Sequence, residues 1–214
     1  MEKERFHTRM YGWKHVWMEF AEEFQGTVED LNPDSSQTGM SIVLPLKNTD
    51  LTLVYTLEPG KNGSHSHTTV EASFSAGGDL KFGLHPQKQL VALGKLFGMQ
   101  DIVVGFKDFD QRFVIKGNVA GRIRDIFADG EIRALLMDEP NIEISSHANN
   151  TDSKLSPKVL DGEQFVLSLK IPSIIDDFER LKNLYRLTEL LLANLCAEES
   201  AVTMPVSMQA PNFS

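Results

Sequence analysis

Two histidines one residue apart come nearest to a metal site in this sequence. His65 and His67 lie in an alternating segment, and on an extended strand this spacing puts both imidazoles on one face, as a shared metal ion requires. The apolar residues Val70, Ala72 and Phe74 mark the buried face of the same strand, and they have the opposite parity. The pair is therefore expected to face solvent, and we assign no metal to it.

Three aspartates are the candidates for cation binding or for acid and base roles. Asp101, Asp108 and Asp110 are close in sequence, and carboxylates can divide such roles or bind a divalent cation. The sequence predicts a strand from Phe109 to Lys116, on which Asp110 and Arg112 share a face. A local charge pair is then the simpler interpretation, and no catalytic residue is assigned.

Other signatures of chemistry do not occur in the sequence. The glycines of GKLFG and VVGF fit neither the P-loop nor the dinucleotide spacing, and no GxSxG motif is present. The one cysteine, Cys196, lies on an apolar helix and is expected to be inert. No cofactor is predicted.

Charge and composition limit the class of partner. The 214 residues carry a net charge of -9, which argues against a general nucleic-acid binder, since such proteins display basic patches. The first residues are charged and show no signal-peptide core, and no apolar run is long enough to span a bilayer. These features predict a soluble cytoplasmic protein that binds no nucleic acid and has no transmembrane segment.

The first half predicts a helix followed by a meander. Trp13 to Phe24 has an aromatic stripe at helical spacing. Four alternating segments follow, with short turns between them: Met40 to Lys47, Leu51 to Leu57, His65 to Ser75 and Leu80 to Leu84. Pro45 indicates an edge or a bulge in the first of these segments. A short helix with Pro86 in its first turn and a stop at Gly98 completes this half.

The second half predicts three more strands and two helical regions. After the strand at 109 to 116, Asn118 is expected to cap a helix with Ile123, Ile126 and Phe127 on one face. Residues 141 to 145 and 164 to 171 read as a strand pair, and a long apolar helix covers Ser173 to Ala197. The predicted class is α+β, with an antiparallel sheet backed by helices, in one domain or two small lobes. The predicted divisions are 1 to 98, 99 to 197, and a flexible tail from 198 to 214.

The stretch from Val104 to about Asn194 resembles a bacterial domain family of unknown function. In that family an FD or FE pair precedes an F-x-V strand, a helix with a leucine-rich end, a strand pair and a final helix. The matching positions here are Asp108, Phe109, Asp110, Phe113, Val114 and Ile115, then Ile123 to Leu136, then Phe165 to Leu169. The resemblance covers under half of the chain and implies no catalytic residue. Members of the family often have membrane segments upstream, where this chain has a helix and a meander.

Three functions are compatible with these patterns. The leading one is a non-enzymatic module that binds another protein or itself, because the two apolar helices have more surface than one sheet needs to bury. Its partner-binding candidates are Trp13, Trp17, Phe20, Phe178, Tyr185 and Leu192. An alternative is a small-molecule or metal-dependent enzyme with a pocket between the lobes, lined by His85, Asp101, Asp108 and Arg112. The third is a hydrophobic-ligand carrier with Trp13, Trp17 and Phe20 as its wall.

Overall fold

The structure, a computed structural model, describes residues 2–30, 39–58, 66–75, 79–88, 99–148 and 164–196. The described residues form five helices and an antiparallel sheet of nine strands, which confirms the predicted α+β class. The elements in chain order are α1 (Glu2–Glu23), β1 (Thr27–Asp30), β2 (Met40–Pro45), β3 (Thr52–Glu58), β4 (His67–Ser75), β5 (Phe82–Pro86), β6 (Gln100–Ile102), α2 (Lys107–Arg112), β7 (Phe113–Gly117), α3 (Ala120–Ala128), α4 (Gly130–Asp138), β8 (Glu143–Ala148), β9 (Gln164–Ile171) and α5 (Phe178–Cys196).

The strands interleave in a way that local sequence patterns do not reveal. Their order across the sheet is β1-β2-β3-β4-β9-β8-β5-β7-β6. The predicted meander is right for β2, β3 and β4 but wrong for β5, which pairs with β7 and β8. The predicted pairing of β8 with β9 is confirmed, and β9 also pairs with β4. Strands from both halves of the chain therefore share one sheet.

One face of the sheet is covered by the helices. Along β4 every second side chain is buried, and Val70, Ala72 and Phe74 are at most 1% exposed. Helix α1 packs on β2, and α5 packs on β4. Nine strands at a spacing of about 4.8 Å span roughly 40 Å, which takes about four helices of 10 Å diameter to cover. The sheet therefore uses the apolar stripes of α1 and α5 in the chain's own core.

The opposite face carries polar and half-buried side chains. Thr69 and Glu71 of β4, Ser168 of β9 and Ser145 of β8 all lie on it. Ser168 Oγ donates to Glu71 Oε1 at 3.3 Å across the strands. Such a division between an apolar and a polar face is usual for an antiparallel sheet.

Several predicted elements need correction. Residues 107–112 form helix α2, where a strand from Phe109 was expected, because Phe109 and Phe113 stand four apart and their rings meet at 5.3 Å. Asn118 does not cap α3, which begins after Val119. The Asn118 side chain instead accepts a hydrogen bond from Lys81 N at 2.9 Å and so connects the end of β7 to the start of β5.

Other boundaries also differ from the predictions. β1 lies between the first helix and the first strand that the sequence predicts, and α5 begins at Phe178 instead of Ser173. α1 starts upstream of Trp13 and is interrupted at Gly12, where φ is +72°. The strand with Pro45 was predicted at an edge or a bulge, but β2 lies one place inside the edge, between β1 and β3. Pro45 ends β2, beyond the last residue that β1 pairs. Pro86 is the last residue of β5 and not part of a helix's first turn. The remainder of the predicted helix, residues 89–98, and the predicted tail lie outside the described residues.

Among the described helices, none has the combination of length and apolar character that crossing a bilayer takes.

Candidate functional site

The turn between β6 and α2 presents two apolar side chains to solvent. Val103 is 64% exposed and Phe106 is 42% exposed. Gly105 lies between them with φ +104°, a backbone conformation that side-chain-bearing residues rarely adopt. The turn therefore projects two apolar groups from a backbone that glycine allows to bend.

The backbone of this turn is held by side chains from two helices. The Asp110 carboxylate on α2 accepts from Val104 N through Oδ1 and from Gly105 N through Oδ2, each at 2.9 Å. Arg124 on α3 donates its Nε–H to the carbonyl of Val103 at 3.0 Å. Asp110 therefore makes hydrogen bonds to the turn, in place of the charge pair with Arg112 that a strand would have allowed. These bonds to charged groups hold the turn in one conformation.

An arginine lies on the exposed aromatic ring. The Arg133 guanidinium carbon is 3.4 Å from the centroid of the Phe106 ring, within cation–π distance. Nη1 of the same guanidinium donates to the carbonyl of Phe127 at 2.9 Å. Phe127 is fully buried, so the Arg133 side chain links the exposed ring to the core. We name Val103, Phe106, Lys107, Arg124 and Arg133 the turn patch.

The sequence prediction missed the turn patch. Val103 and Phe106 lie between the helix predicted to stop at Gly98 and the strand predicted from Phe109, and residues outside predicted elements usually attract no attention in a sequence. The available signal was an apolar pair on either side of a glycine, followed within five residues by an aspartate that can bond the turn.

The histidines do not come together. His67 faces the open side of the sheet, as predicted, and its Nε2 lies 3.4 Å from Glu58 Oε2. His65 lies outside the described residues. His85 is on β5 opposite Val114 and is 8% exposed. Within the described part of the chain, no group of three or more histidine, cysteine, aspartate or glutamate side chains is placed to hold a metal ion.

His85 is buried without a hydrogen-bond partner among the described residues. Neither of its ring nitrogens bonds to any residue that the structure describes. Burial lowers the pKa of His85, because a charged imidazole loses hydration there, and the Glu143 carboxylate opposes this in part. The neutral form is therefore favoured in the folded state.

We expect the free energy of unfolding to fall as the pH drops below about 6.5, the ordinary pKa of histidine, because the unfolded chain then binds the proton more readily. Above that pH the stability that comes from burying neutral His85 is fully present, and it is lost as the pH falls through the folded-state pKa of His85. Urea unfolding at a series of pH values, compared between wild type and His85→Leu, isolates the effect. The variant should show the shallower pH dependence. Equal slopes would contradict the prediction, and His67→Gln on the same sheet face is the control.

The residues predicted to line an enzyme pocket are dispersed. Asp101 pairs with Lys116 at 3.3 Å, and its side chain is 74% exposed. Asp108 and Arg112 on α2 are exposed. Three of the four predicted lining residues, with His85 as the fourth, therefore face solvent instead of an enclosed cleft.

Most of the predicted partner-binding residues lie in the core. Trp17 and Phe20 are fully buried, while Leu192 is 1% and Tyr185 4% exposed. Trp13 and Phe178 are half-buried and pack against the core. The wall proposed for a hydrophobic ligand is therefore covered by the chain's own side chains. These side chains are therefore not available to a partner, whereas the apolar side chains of the turn patch are exposed.

No protein-family model matches the chain, and no curated protein matches it. The resemblance proposed for residues 104 to 194 stays a prediction. Among solved structures, the crystal structure of the mycobacterial trehalose monomycolate transport factor A, TtfA, matches with a TM-score of 0.50 at 8% sequence identity. The match covers 86% of this chain and 97% of that one. At this identity the likeness concerns the fold alone.

Proposed function

We propose that this chain is a non-enzymatic protein-binding module that contacts its partner through the turn patch. One observation carries the proposal: Val103 and Phe106 are exposed on a backbone that side-chain hydrogen bonds hold in place. Exposed apolar side chains that lie close together within a polar rim are typical of interaction sites.

The ordered backbone of the turn lowers the free-energy cost of binding. Ordering a loop on association costs conformational entropy, and a turn that is already ordered avoids most of that cost. The composition also fits, because aromatic residues and arginine are enriched among the residues that dominate binding energy. Phe106 with Arg133 stacked on it provides both in one contact.

The rival functions have less support. A hydrophobic-ligand carrier needs a free apolar wall, whereas Trp17 and Phe20 are enclosed by the chain itself. The name of TtfA refers to transport of trehalose monomycolate, and we do not transfer that role to this chain, since 8% identity supports a common fold only. A cytoplasmic location and a bacterial origin remain predictions from the sequence.

The test compares wild type with Val103→Ala/Phe106→Ala as baits in affinity purification from the native host. Proteins recovered by wild type should be lost with the double variant. Direct titration of each purified candidate should then show binding weakened by about fivefold or more, since losing such an anchor costs over 1 kcal/mol. The free energy of unfolding should change little, because both side chains are exposed.

Val43→Ala is the matched control, since Val43 is also an exposed valine, 37% exposed on β2. It should recover the same proteins as wild type. The proposal fails if wild type recovers no direct binder, or if every direct binder holds the double variant as tightly as wild type.

A further inference from the structure

Strand β6 has one neighbour among the described strands, which is β7, and it forms an edge of the sheet. The hydrogen bonds of β7 show which of its backbone groups point toward β6. Asn118, directly after β7, donates its backbone N–H to the carbonyl of Lys81, directly before β5, at 3.1 Å. Successive residues of a strand inside an antiparallel sheet bond to alternate sides. Gly117 and Ile115 therefore bond toward β6.

The same alternation gives the direction of each backbone group on β6. Gln100 and Ile102 lie opposite the two residues of β7 that bond toward β6, so they bond to β7. Asp101 and Val103 therefore point their N–H and C=O groups away from the sheet. The carbonyl of Val103 agrees with this direction, since it accepts from Arg124 of α3 at 3.0 Å. The outward N–H and C=O of Asp101, with the N–H of Val103, are the groups that an added strand would bond.

Helix α5 ends close to this edge. Arg122 on α3 donates to the carbonyl of Leu195, at the end of α5, at 3.1 Å. Arg124, two residues further along α3, reaches the carbonyl of Val103. Two residues turn a helix by about 200°, so α3 lies between the end of α5 and the turn after β6. A helix is about 10–12 Å across, and five extended residues reach up to about 17 Å. Residues 197–201 are therefore long enough to bring the chain around α3 to β6.

The residues that follow have the sequence pattern of an edge strand. Residues 202–208 read VTMPVSM, with an apolar side chain at every even-numbered position and no charged residue. Pro205 has no N–H, and proline is tolerated in an edge strand where its nitrogen faces away from the neighbouring strand. The odd-numbered residues then point their backbone groups outward, and the even-numbered residues point theirs at β6. The proline thus selects one of the two ways in which this segment could pair.

We propose that residues 202–208 form a tenth strand on β6 and compete with a partner for Val103. The inference rests on the proposed function and names a regulator of the turn patch. The added strand is antiparallel, as is every neighbouring pair in the sheet. Residues directly opposite each other share a face of the sheet. The even-numbered residues, opposite Asp101 and Val103, therefore place their apolar side chains beside Val103, which is otherwise 64% exposed.

Tethering favours the chain's own segment over a strand from another molecule. A segment that is joined to α5 by residues 197–201 meets β6 at an effective concentration on the order of millimolar. A free strand in solution rarely reaches that concentration. Covering the edge also removes N–H and C=O groups that could otherwise template pairing between molecules.

Proline substitutions at even and at odd positions test the inference in the full chain. Met204→Pro/Val206→Pro removes two N–H groups that point at β6, together with two apolar side chains. Thr203→Pro/Ser207→Pro is the matched control, since it removes two N–H groups that point outward. Amide hydrogen exchange followed by NMR should show the Asp101 N–H about tenfold better protected in wild type and in the control than in Met204→Pro/Val206→Pro.

Binding to a direct binder that wild type recovers provides a second measurement. Tenfold protection means that residues 202–208 leave β6 for about one tenth of the time, so a competing binder finds about one tenth of the sites open. Met204→Pro/Val206→Pro should therefore bind it about tenfold more tightly than wild type. Thr203→Pro/Ser207→Pro should bind it as wild type does.

Equal exchange of the Asp101 N–H in all three chains overturns the inference. Protection that rises with protein concentration also overturns it, because the added strand would then come from a second copy. Protection with an unchanged affinity for the binder overturns the competition. If the exchange shows no added strand while Val103→Ala/Phe106→Ala still loses a direct binder, the proposed function stands and only this inference is wrong.

Discussion

Replacing Trp17 with alanine should lower the free energy of unfolding by about 3–5 kcal/mol, the usual cost of truncating a large buried aromatic. Trp17 is fully buried, and its Nε1–H donates to the carbonyl of Ile175 at 2.8 Å. Its ring meets the Tyr55 ring edge-on at 6.5 Å between centroids. The substitution leaves a cavity and a buried carbonyl without its donor. Urea unfolding followed by far-UV circular dichroism measures the effect.

Two further substitutions at this site give the prediction its controls. Trp17→Phe keeps most of the ring and loses the N–H donor, so it should cost less than the alanine variant. Met18→Ala changes the next residue, which is 57% exposed, and should alter stability by no more than about 0.5 kcal/mol. If Trp17 were a binding wall for a partner or ligand, Trp17→Ala would leave stability near that of wild type.

Replacing Arg180 with leucine should cost about 2–3 kcal/mol, because it leaves a buried carboxylate without its cation. Glu139 at the end of α4 is 5% exposed, and Arg180 on α5 binds both its oxygens, with Nη2 at 2.8 Å from Oε2. The hydrogen bonds that Arg180 donates to the Glu139 carboxylate raise the pKa of Arg180, so the guanidinium stays charged. The Arg180 side chain is 36% exposed, which places the cost below that of a fully enclosed pair.

A double-mutant cycle isolates this interaction. Arg180→Leu/Glu139→Leu should lose less stability than the two single substitutions added together, since no buried charge is left alone. Additive losses would contradict the account. The Arg186–Glu131 pair joins the same two helices with both side chains about half exposed, and Arg186→Leu should cost clearly less than Arg180→Leu, because solvent screens an exposed ion pair.

The sequence predicts the structure correctly where buried and exposed side chains alternate along a strand. On β4 the parity of Val70, Ala72 and Phe74 gave the face of His67 correctly. It failed at residues 107–112, because Phe109 and Phe113 fit the helical period as well as the strand period, and only α2 brings Asp110 to the turn. The place of β9 between β4 and β8 is a long-range pairing, which no local pattern encodes.

The candidate site could not be predicted for a related reason. The apolar stripes of α1 and α5 suggested surplus surface, whereas a sheet of nine strands needs both stripes for its own core. The width of the sheet follows from long-range pairing and so was not visible in the sequence. Val103 and Phe106 lie between the elements that the sequence predicts, and their exposure emerges only when Asp110, Arg124 and Arg133 are placed around them.

A photocrosslinker in place of Phe106 tests the central claim, that the turn patch is the contact surface, most directly. Phe106→p-benzoylphenylalanine in the purified full chain, irradiated with a direct binder that wild type recovers, should yield a crosslinked complex of the two proteins. Peptide mapping should place the attachment on one continuous surface of that binder. The absence of a crosslink, or attachment sites scattered as they are from the same probe at Asp138, would contradict the account.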